Sequence, residues 1–533
     1  MSIARPPISR ARTALGLAVA AASLAASLGH AAEQPVFLKA PTRVTTTTDT
    51  KGVGYPDARK IVADSRGTLT LAYRTQAPGD AAHVFVVRNS NGSWGTPMRA
   101  ENINGLIQRV PAIGVGSDDS THVSWYGIDP IYKSPTDYRQ IKYTSATRDG
   151  NWSGDSSSYY NIAPIKDTTN CLSSSKWWQE HPAIQVGKGK VNGSIKADVA
   201  FIAWESRDSA SCTKGQVRFY AKPLDGSAAG FSVKIPSVGS SNFSRPTVVP
   251  STDGSTLHAL AYGSGNGTRQ ITWTTSSDGG KTWGAWKLIS SNSNDQRHVS
   301  AAVDANNNLH VAWREQVGSY SNIMYGVWNG SGWTRRNLTA TQPSAFRTFP
   351  SISVFRTDAT AGAPEKVAVV WVQAATAPSE EVETRGNVML SVRDGISSSA
   401  NAGSWSTPLQ LNARAGSGVS NGQATYPSLR WSQYGAQAYV DVVWADGASG
   451  SNPLQCPSGG CPIFYSRLNA AGAAAAQVAT APTATAEPAP PADSTTMGGS
   501  TTTSTSGSTT TSGTTTTSST SSTLSILRNL LSR

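Results

Sequence analysis

Arg297-His298-Val299-Ser300-Ala301-Ala302-Val303, a turn at Asp304-Ala305-Asn306-Asn307-Asn308, then Leu309-His310-Val311-Ala312-Trp313 is one copy of a register that recurs seven times. Each copy opens on a polar or aromatic residue, followed in six of them by proline, then a small or apolar triplet and a turn, and a strand ending in an aromatic. The other openings are Tyr55-Pro56, Arg109-Val110-Pro111, His181-Pro182, Arg245-Pro246, Phe349-Pro350 and Tyr426-Pro427. Working outward, the second strands end at Tyr73, Trp125, Trp204, Tyr262, Trp313, Trp371 and Trp444.

A third strand follows each second one, rich in β-branched and aromatic residues, as in Ile141-Lys142-Tyr143, Val217-Arg218-Phe219-Tyr220 and Ile323-Met324-Tyr325. Six of these run into a Gly/Asp/Asn turn that ends in Trp94, Trp152, Phe231, Trp283, Trp333 or Trp405, with short outer strands beyond. The seventh copy stops after its third strand, near Leu468, while Val36-Phe37-Leu38-Lys39, ahead of the first copy, is strand-like and lacks a partner of its own. Supplying that missing edge from the N-terminal side closes a ring and removes an exposed sheet edge. The expected fold is therefore all-β: a seven-bladed β-propeller of four-stranded antiparallel blades, closed by an N-terminal strand and followed by a disordered Ser/Thr-rich C-terminal tail.

Composition agrees and narrows the function. The chain has 533 residues, 38% of them hydrophobic and only 15% charged, enough to bury a core and too few charges for a long solvated helical rod. The formal charge of +12 falls to +9 over 33–470 once three leader arginines, two tail arginines and two linker carboxylates are set aside. No Lys/Arg block marks a nucleic-acid stripe, so no nucleic-acid partner is expected. Residues 1–32 read as a secretory signal: Arg5, Arg10 and Arg12 precede an apolar run from Ala14 to Leu28, with small residues at Gly29, Ala31 and Ala32. That implies a secreted or cell-surface protein. In such a compartment four cysteines favour disulfides, expected as Cys171–Cys212 and Cys456–Cys461. The propeller is expected over 33–470, and an Ala/Pro then Ser/Thr/Gly linker over 471–523 offers a tether for cell-surface association. Residues 524–533 have apolar positions at helical spacing and read either as a docking tag or as a frayed amphipathic end. The protein is expected to be a monomer.

Ser276-Ser277-Asp278-Gly279-Gly280-Lys281-Thr282-Trp283 resembles the S-x-D-x-G-x-T-W Asp-box, or BNR repeat, of sialidase-superfamily propellers. Asn89-Ser90-Asn91-Gly92-Ser93-Trp94 and Arg148-Asp149-Gly150-Asn151-Trp152 look like eroded copies. The box is structural in that superfamily and lies on the face opposite the active site. Ala345-Phe346-Arg347-Thr348-Phe349-Pro350 resembles the sialidase F/Y-R-I-P motif. The resemblance implies an arginine-bound substrate carboxylate, a Tyr/Glu nucleophile pair and an aspartate acid/base. Sialidases have six blades where seven are counted here; seven-bladed lectins and polysaccharide lyases are relatives in architecture.

Topology then selects a face. The chain entering each inner strand and the loop after each second strand emerge together, so the openings form a ring about the axis: Arg109, His181, Arg245, Arg297 with His298, Arg347 and Tyr426. Guanidinium forks suit carboxylate or sulfate, and Arg314 follows a second-strand aromatic into the same mouth. Glu205 and Glu315, one and two residues after the aromatic in the third and fifth copies, offer the two carboxylates a glycoside hydrolase needs. The expected catalytic set is Glu205, Glu315 and Tyr426. Trp177, beside the Cys171–Cys212 staple, would stack on a sugar ring. A lyase would instead use His181 or His298 with a tyrosine, beside an arginine-neutralised uronate. Gly418-Val419-Ser420-Asn421-Gly422 opens no helix and Gly263-Ser264-Gly265-Asn266-Gly267 is a loop, so neither a nucleophile elbow nor a dinucleotide fingerprint is expected. No H-E-x-x-H or paired C-x-x-C occurs, so no metal and no cofactor is expected. The first reading is a sialidase-like glycoside hydrolase on acidic glycans. Alternatives are a non-catalytic lectin or adhesin, a polysaccharide lyase on uronate-containing glycans, and a scaffold in an envelope assembly.

Overall fold

The computed structural model describes residues 34–469, except 50, 56, 77–79, 129–138, 149, 151, 153–159, 163–177, 208–214, 238–241, 265–267, 291, 357–363, 376, 379–383, 414–421, 431–438, 448–455 and 457–459. The expected leader 1–32, the linker 471–523 and the segment 524–533 lie outside the described residues, as do Trp177, Cys171 and Cys212.

Seven antiparallel sheets stand in sequence order. Their inner strands are Ile61–Ala63, Gln108–Val115, Trp178–Val191, Asn242–Pro250, Gln296–Val303, Phe346–Arg356 and Ala424–Leu429, which define blades 1 to 7. Six sheets have four strands; in blade 1 the outer position is split between Ser93–Trp94 and Met98–Arg99, both paired with Ala82–Ser90. Blade 7 takes its outer strand from the other end of the chain: Val36–Thr47 pairs with Cys461–Asn469, running from Val36 opposite Asn469 to Thr47 opposite Cys461. The ring therefore closes as the truncated seventh repeat requires, and the strand is longer than the four residues expected. Cys456 and Cys461 form the expected disulfide, Cα atoms 5.1 Å apart, at the start of blade 7's third strand.

The aromatic that ends each second strand is the packing unit between blades. Trp125, Trp204, Trp313, Trp371 and Trp444 are each 0% exposed. Trp125 and Trp204 donate Nε1–H to Gln108 and Gln179, so these indoles keep a polar partner inside the core. Outer turns seal the gaps. In the Ser276–Trp283 hairpin, Asp278 accepts from the Thr282 N–H (3.0 Å) and hydroxyl (2.6 Å), Gly279 and Gly280 adopt φ of 79° and 94°, and Trp283 packs edge-on against Phe219 of blade 3.

Candidate active site

The repeat's opening residue owes its orientation to a bulge. In blades 2 to 7 the register with the second strand slips by an extra residue at the same place, between Arg109 and Ala112, Glu180 and Ala183, Ser244 and Thr247, Arg297 and Ser300, Thr348 and Ser351, and Thr425 and Ser428. One residue in each bulge has left-handed backbone: Val110, His181, Arg245, His298, Phe349 and Tyr426, with φ between 47° and 56°. Such backbone is costly for side-chain-bearing residues, and its repetition in register marks a built feature.

These six, with Tyr55 of blade 1, meet around the axis. Tyr55 lies edge-on to His181 (5.1 Å between centroids) and to Tyr426 (5.3 Å), and the Arg245 guanidinium sits 4.0 Å from its ring centroid. Phe349 contacts both Tyr426 (4.3 Å) and His298 (4.8 Å), and Arg245 Nη1 donates to His298 Nδ1 at 3.2 Å. Tyr55 thus touches blades 3, 4 and 7 at once. Below it the axis is plugged by its own segment: Arg59 donates to Ala301 O of blade 5 and Ser351 Oγ of blade 6, and Lys60 Nζ donates to Pro111 O of blade 2.

The chemistry concentrates on blades 3 and 4. Glu180 and Glu205 face each other across paired strands, where like charges repel unless each has a cation. Arg139 pairs with Glu180; Arg207 Nε lies 3.3 Å from Glu205 Oε1, and the Arg245 N–H donates to Glu205 Oε2 at 3.4 Å. His181 Nδ1 stands 3.5 Å from Glu205 Oε2. Burial pushes the Glu205 carboxyl up, but the neighbouring His181, then Arg207 and Arg245, pull it down to about 2. Burial also lowers His181, to about 4, against the pull of Glu205. At neutral pH the pair is a carboxylate and a neutral imidazole. His181 Nδ1 makes no hydrogen bond among the described residues, so Glu205 acts on it through its charge; the tautomer with its proton on Nδ1, the side of the carboxylate, leaves the lone pair on Nε2.

A cationic cluster surrounds this pair. Burial lowers Lys51; Asp49 opposes that shift, while Arg74, Arg245 and Arg109 add to it. Arg74 forms an ion pair with Asp49. Burial works against the charge of Arg245, yet Tyr262, Tyr55, Asp57 and Tyr426 raise it, so it stays a cation. Asp57, 3% exposed, has no hydrogen-bond partner on either carboxylate oxygen among the described residues. Burial raises it to about 6, despite Arg245 and Lys60 nearby.

The residues expected from sequence divide into two groups. His181, Arg245, His298 and Tyr426 meet at the axis, with Glu205 behind them. Arg109, Arg297 and Arg347 precede the left-handed residue by one or two positions and pair with the second strand, opposite Tyr126, Arg314 and Gln373. Arg109 still reaches the cluster around Lys51. Arg297 forks onto Asp295 through two 2.8 Å bonds, and Arg314 lies 3.5 Å from the same carboxylate. Arg347 is 1% exposed and donates to Gln373 Oε1, Ser321 O and Pro343 O, all within blades 5 and 6. Glu315 accepts from Asn292, Asn294 and Gln296, three neutral amides of its own blade. Reading the opening as two residues wide put neighbouring positions into one ring; only the bulge separates them. Asp57 and Tyr55 were missed as site residues. The signal was present, since the residue two after each ring position is otherwise small: Ala112, Ala183, Thr247, Ser300, Ser351 and Ser428. No group of three or more His, Cys, Asp or Glu able to hold a metal is found among the described residues.

The fold and mouth define a seven-bladed β-propeller with a cationic, histidine-bearing axial site. No family model matches the chain, and no curated protein matches it in sequence. Solved structures do resemble it. An ulvan lyase of polysaccharide lyase family 25 shares 11% identity at a TM-score of 0.49, covering 80% of this chain and 96% of that one. The polysaccharide lyase Uly1 shares 11% at 0.48 (81% and 99%). The NanB sialidase of Streptococcus pneumoniae shares 12% at 0.41 (82% and 71%). The likeness is one of fold.

Proposed function

We propose that the protein is a glycan-active enzyme that binds an acidic polysaccharide at the axial mouth and cleaves it by β-elimination beside a uronate. The observation that carries this reading is His181, kept neutral by burial with an ionised Glu205 at 3.5 Å, next to the Arg245 cation. Arg245, with Arg109 and Lys51, would neutralise the substrate carboxylate and so acidify the hydrogen on the adjoining carbon. His181 Nε2 takes that proton; the electron pair forms the new carbon–carbon double bond as the bond to the glycosidic oxygen breaks. Tyr55, whose hydroxyl burial keeps protonated, donates to the departing oxygen.

Hydrolysis by Glu205 and Glu315 is less well served by the same geometry. A glycosidase needs a carboxyl held protonated. Glu205 is held ionised, and Glu315 is fixed as an acceptor of three amide N–H bonds.

The test is turnover of a panel of polyuronates, followed by the ultraviolet absorbance of the unsaturated product, alongside release from a fluorogenic sialoside. Absorbance growth that His181→Ala lowers by about 10²–10⁴-fold is expected. Sialoside release that persists in His181→Ala and disappears in Glu315→Gln would restore the hydrolase reading.

A further inference from the structure

The face opposite the mouth carries a second basic cleft. Each inner strand descends from the mouth, so the turns that end it, such as 64–68, lie on that far face, as do the hairpin turn at Asn91-Gly92, the start of blade 7's second strand at Tyr439, and Lys39 near the start of the closing strand. There, where blade 7 meets blade 1, is a cleft of about 800 Å³. Five of its lining side chains are cations, Lys39, Arg66, Arg88, Arg148 and Arg467, against one carboxylate, Asp64.

Four of the cations, Lys39, Arg88, Arg148 and Arg467, are fixed in place. Lys39 Nζ donates to Gly92 O at 2.6 Å, a carbonyl that holds the ammonium without neutralising it. Arg88 donates to the carbonyls of Thr147, Arg148 and Gly150, which ties blade 1 to the neighbouring turn of blade 2. Arg148 and Arg467 lean on carboxylates just behind the wall, Asp119 at 3.2 Å and Asp441 at 2.7 Å. Arg66, at the tip of its turn, is exposed. Two tyrosines complete the lining: Tyr465, with Lys39 Nζ 6.0 Å from its ring centroid, and Tyr439, 37% exposed, with the Arg467 guanidinium over its ring at 4.7 Å.

We infer that this cleft is a second binding site, for an anionic sugar: a sulfated or carboxylated glycan segment. Preformed cations suit the sulfate or carboxylate group, and the exposed part of Tyr439 offers apolar contact to a pyranose ring, whereas Tyr465, 2% exposed, forms the floor. The cleft is concave, which favours a chain segment over a flat anionic bilayer. It stands on the far side of the molecule from His181 and is independent of the elimination reading.

The test is calorimetric titration of the full chain with a κ-carrageenan hexasaccharide, which carries sulfate and no uronate for the mouth to hold, with maltohexaose as the uncharged control. Binding that falls steeply with added salt is expected, with no binding of maltohexaose. Arg66→Ala and Lys39→Gln should each weaken the carrageenan complex about 5–10-fold, one lost charge-assisted contact apiece. Arg245→Gln should leave it unchanged. Arg66→Ala sits at an exposed turn tip, so an unaltered melting curve separates lost binding from lost folding. Wild-type affinity in Arg66→Ala, or weakening by Arg245→Gln instead, overturns the assignment. So does Arg66-dependent binding to phosphatidylglycerol vesicles without binding to the hexasaccharide.

Discussion

At the scale of single residues, two buried ionisable groups report on the mouth. His181 is lowered to about 4, so as the proposed proton acceptor it would already be in its working form at pH 5. The acid limb of kcat/KM should therefore fall near pH 4, well below the ordinary histidine range; a limb near 6.5 would point to another base. Asp57 behaves in the opposite sense. Its folded value, about 6, lies above the ordinary 3.8, so the folded state holds its proton more tightly than the unfolded chain does. The stability this gives is present below about pH 4 and is lost as pH rises through 6. Asp57→Asn should accordingly raise stability toward denaturant at pH 8 and leave it nearly unchanged at pH 4. Equal effects at both values would contradict the assignment of Asp57 as an unpartnered buried carboxyl.

At the scale of elements, the bulge is the device that builds the site. It sends one side chain per inner strand to the axis, and its place before the proline of most repeats made the position legible in the sequence. Which of two adjacent residues would face inward was not legible, because a one-residue slip exchanges the two faces of a strand. Arg109 and Val110 illustrate this: the sequence offered the arginine, and the structure gives the left-handed ring position to the valine and pairs the arginine with the second strand, opposite Tyr126. The hairpin at Asp278 shows the converse, since its hydrogen bonds are local and their residues sit within five positions. Asp278→Ala removes two of those bonds and should cost about 1–2 kcal/mol, read as an earlier unfolding transition with turnover per folded molecule unchanged. Loss of turnover at full stability would mean that this turn reaches the active face.

For the whole molecule, closure is the property on which the mouth depends. A radial sheet array has edges unless its ends pair, and here the pairing joins residues more than four hundred positions apart, Val36 with Asn469. This was readable because a missing strand at one end and a spare one at the other are two halves of one pattern. The tie is costly to lose. Deleting 34–47 should expose the edge of Cys461–Asn469 and drive association, seen as oligomers in size-exclusion chromatography. A monodisperse monomer of unchanged stability would show that closure is held elsewhere. What the sequence could not carry is the traffic across the axis: Tyr55 against His181 and Arg245, and Arg59 reaching blades 5 and 6. Those contacts join blades far apart in the chain, and no local spacing encodes them.

Elimination and hydrolysis products differ by one water, which gives the central claim its most direct test. Polyuronate digested by the protein, with products weighed by mass spectrometry, should yield fragments with an unsaturated non-reducing end, each lighter by one water than the hydrolysis product. Fragments with a saturated non-reducing end, heavier by one water, would contradict elimination at His181.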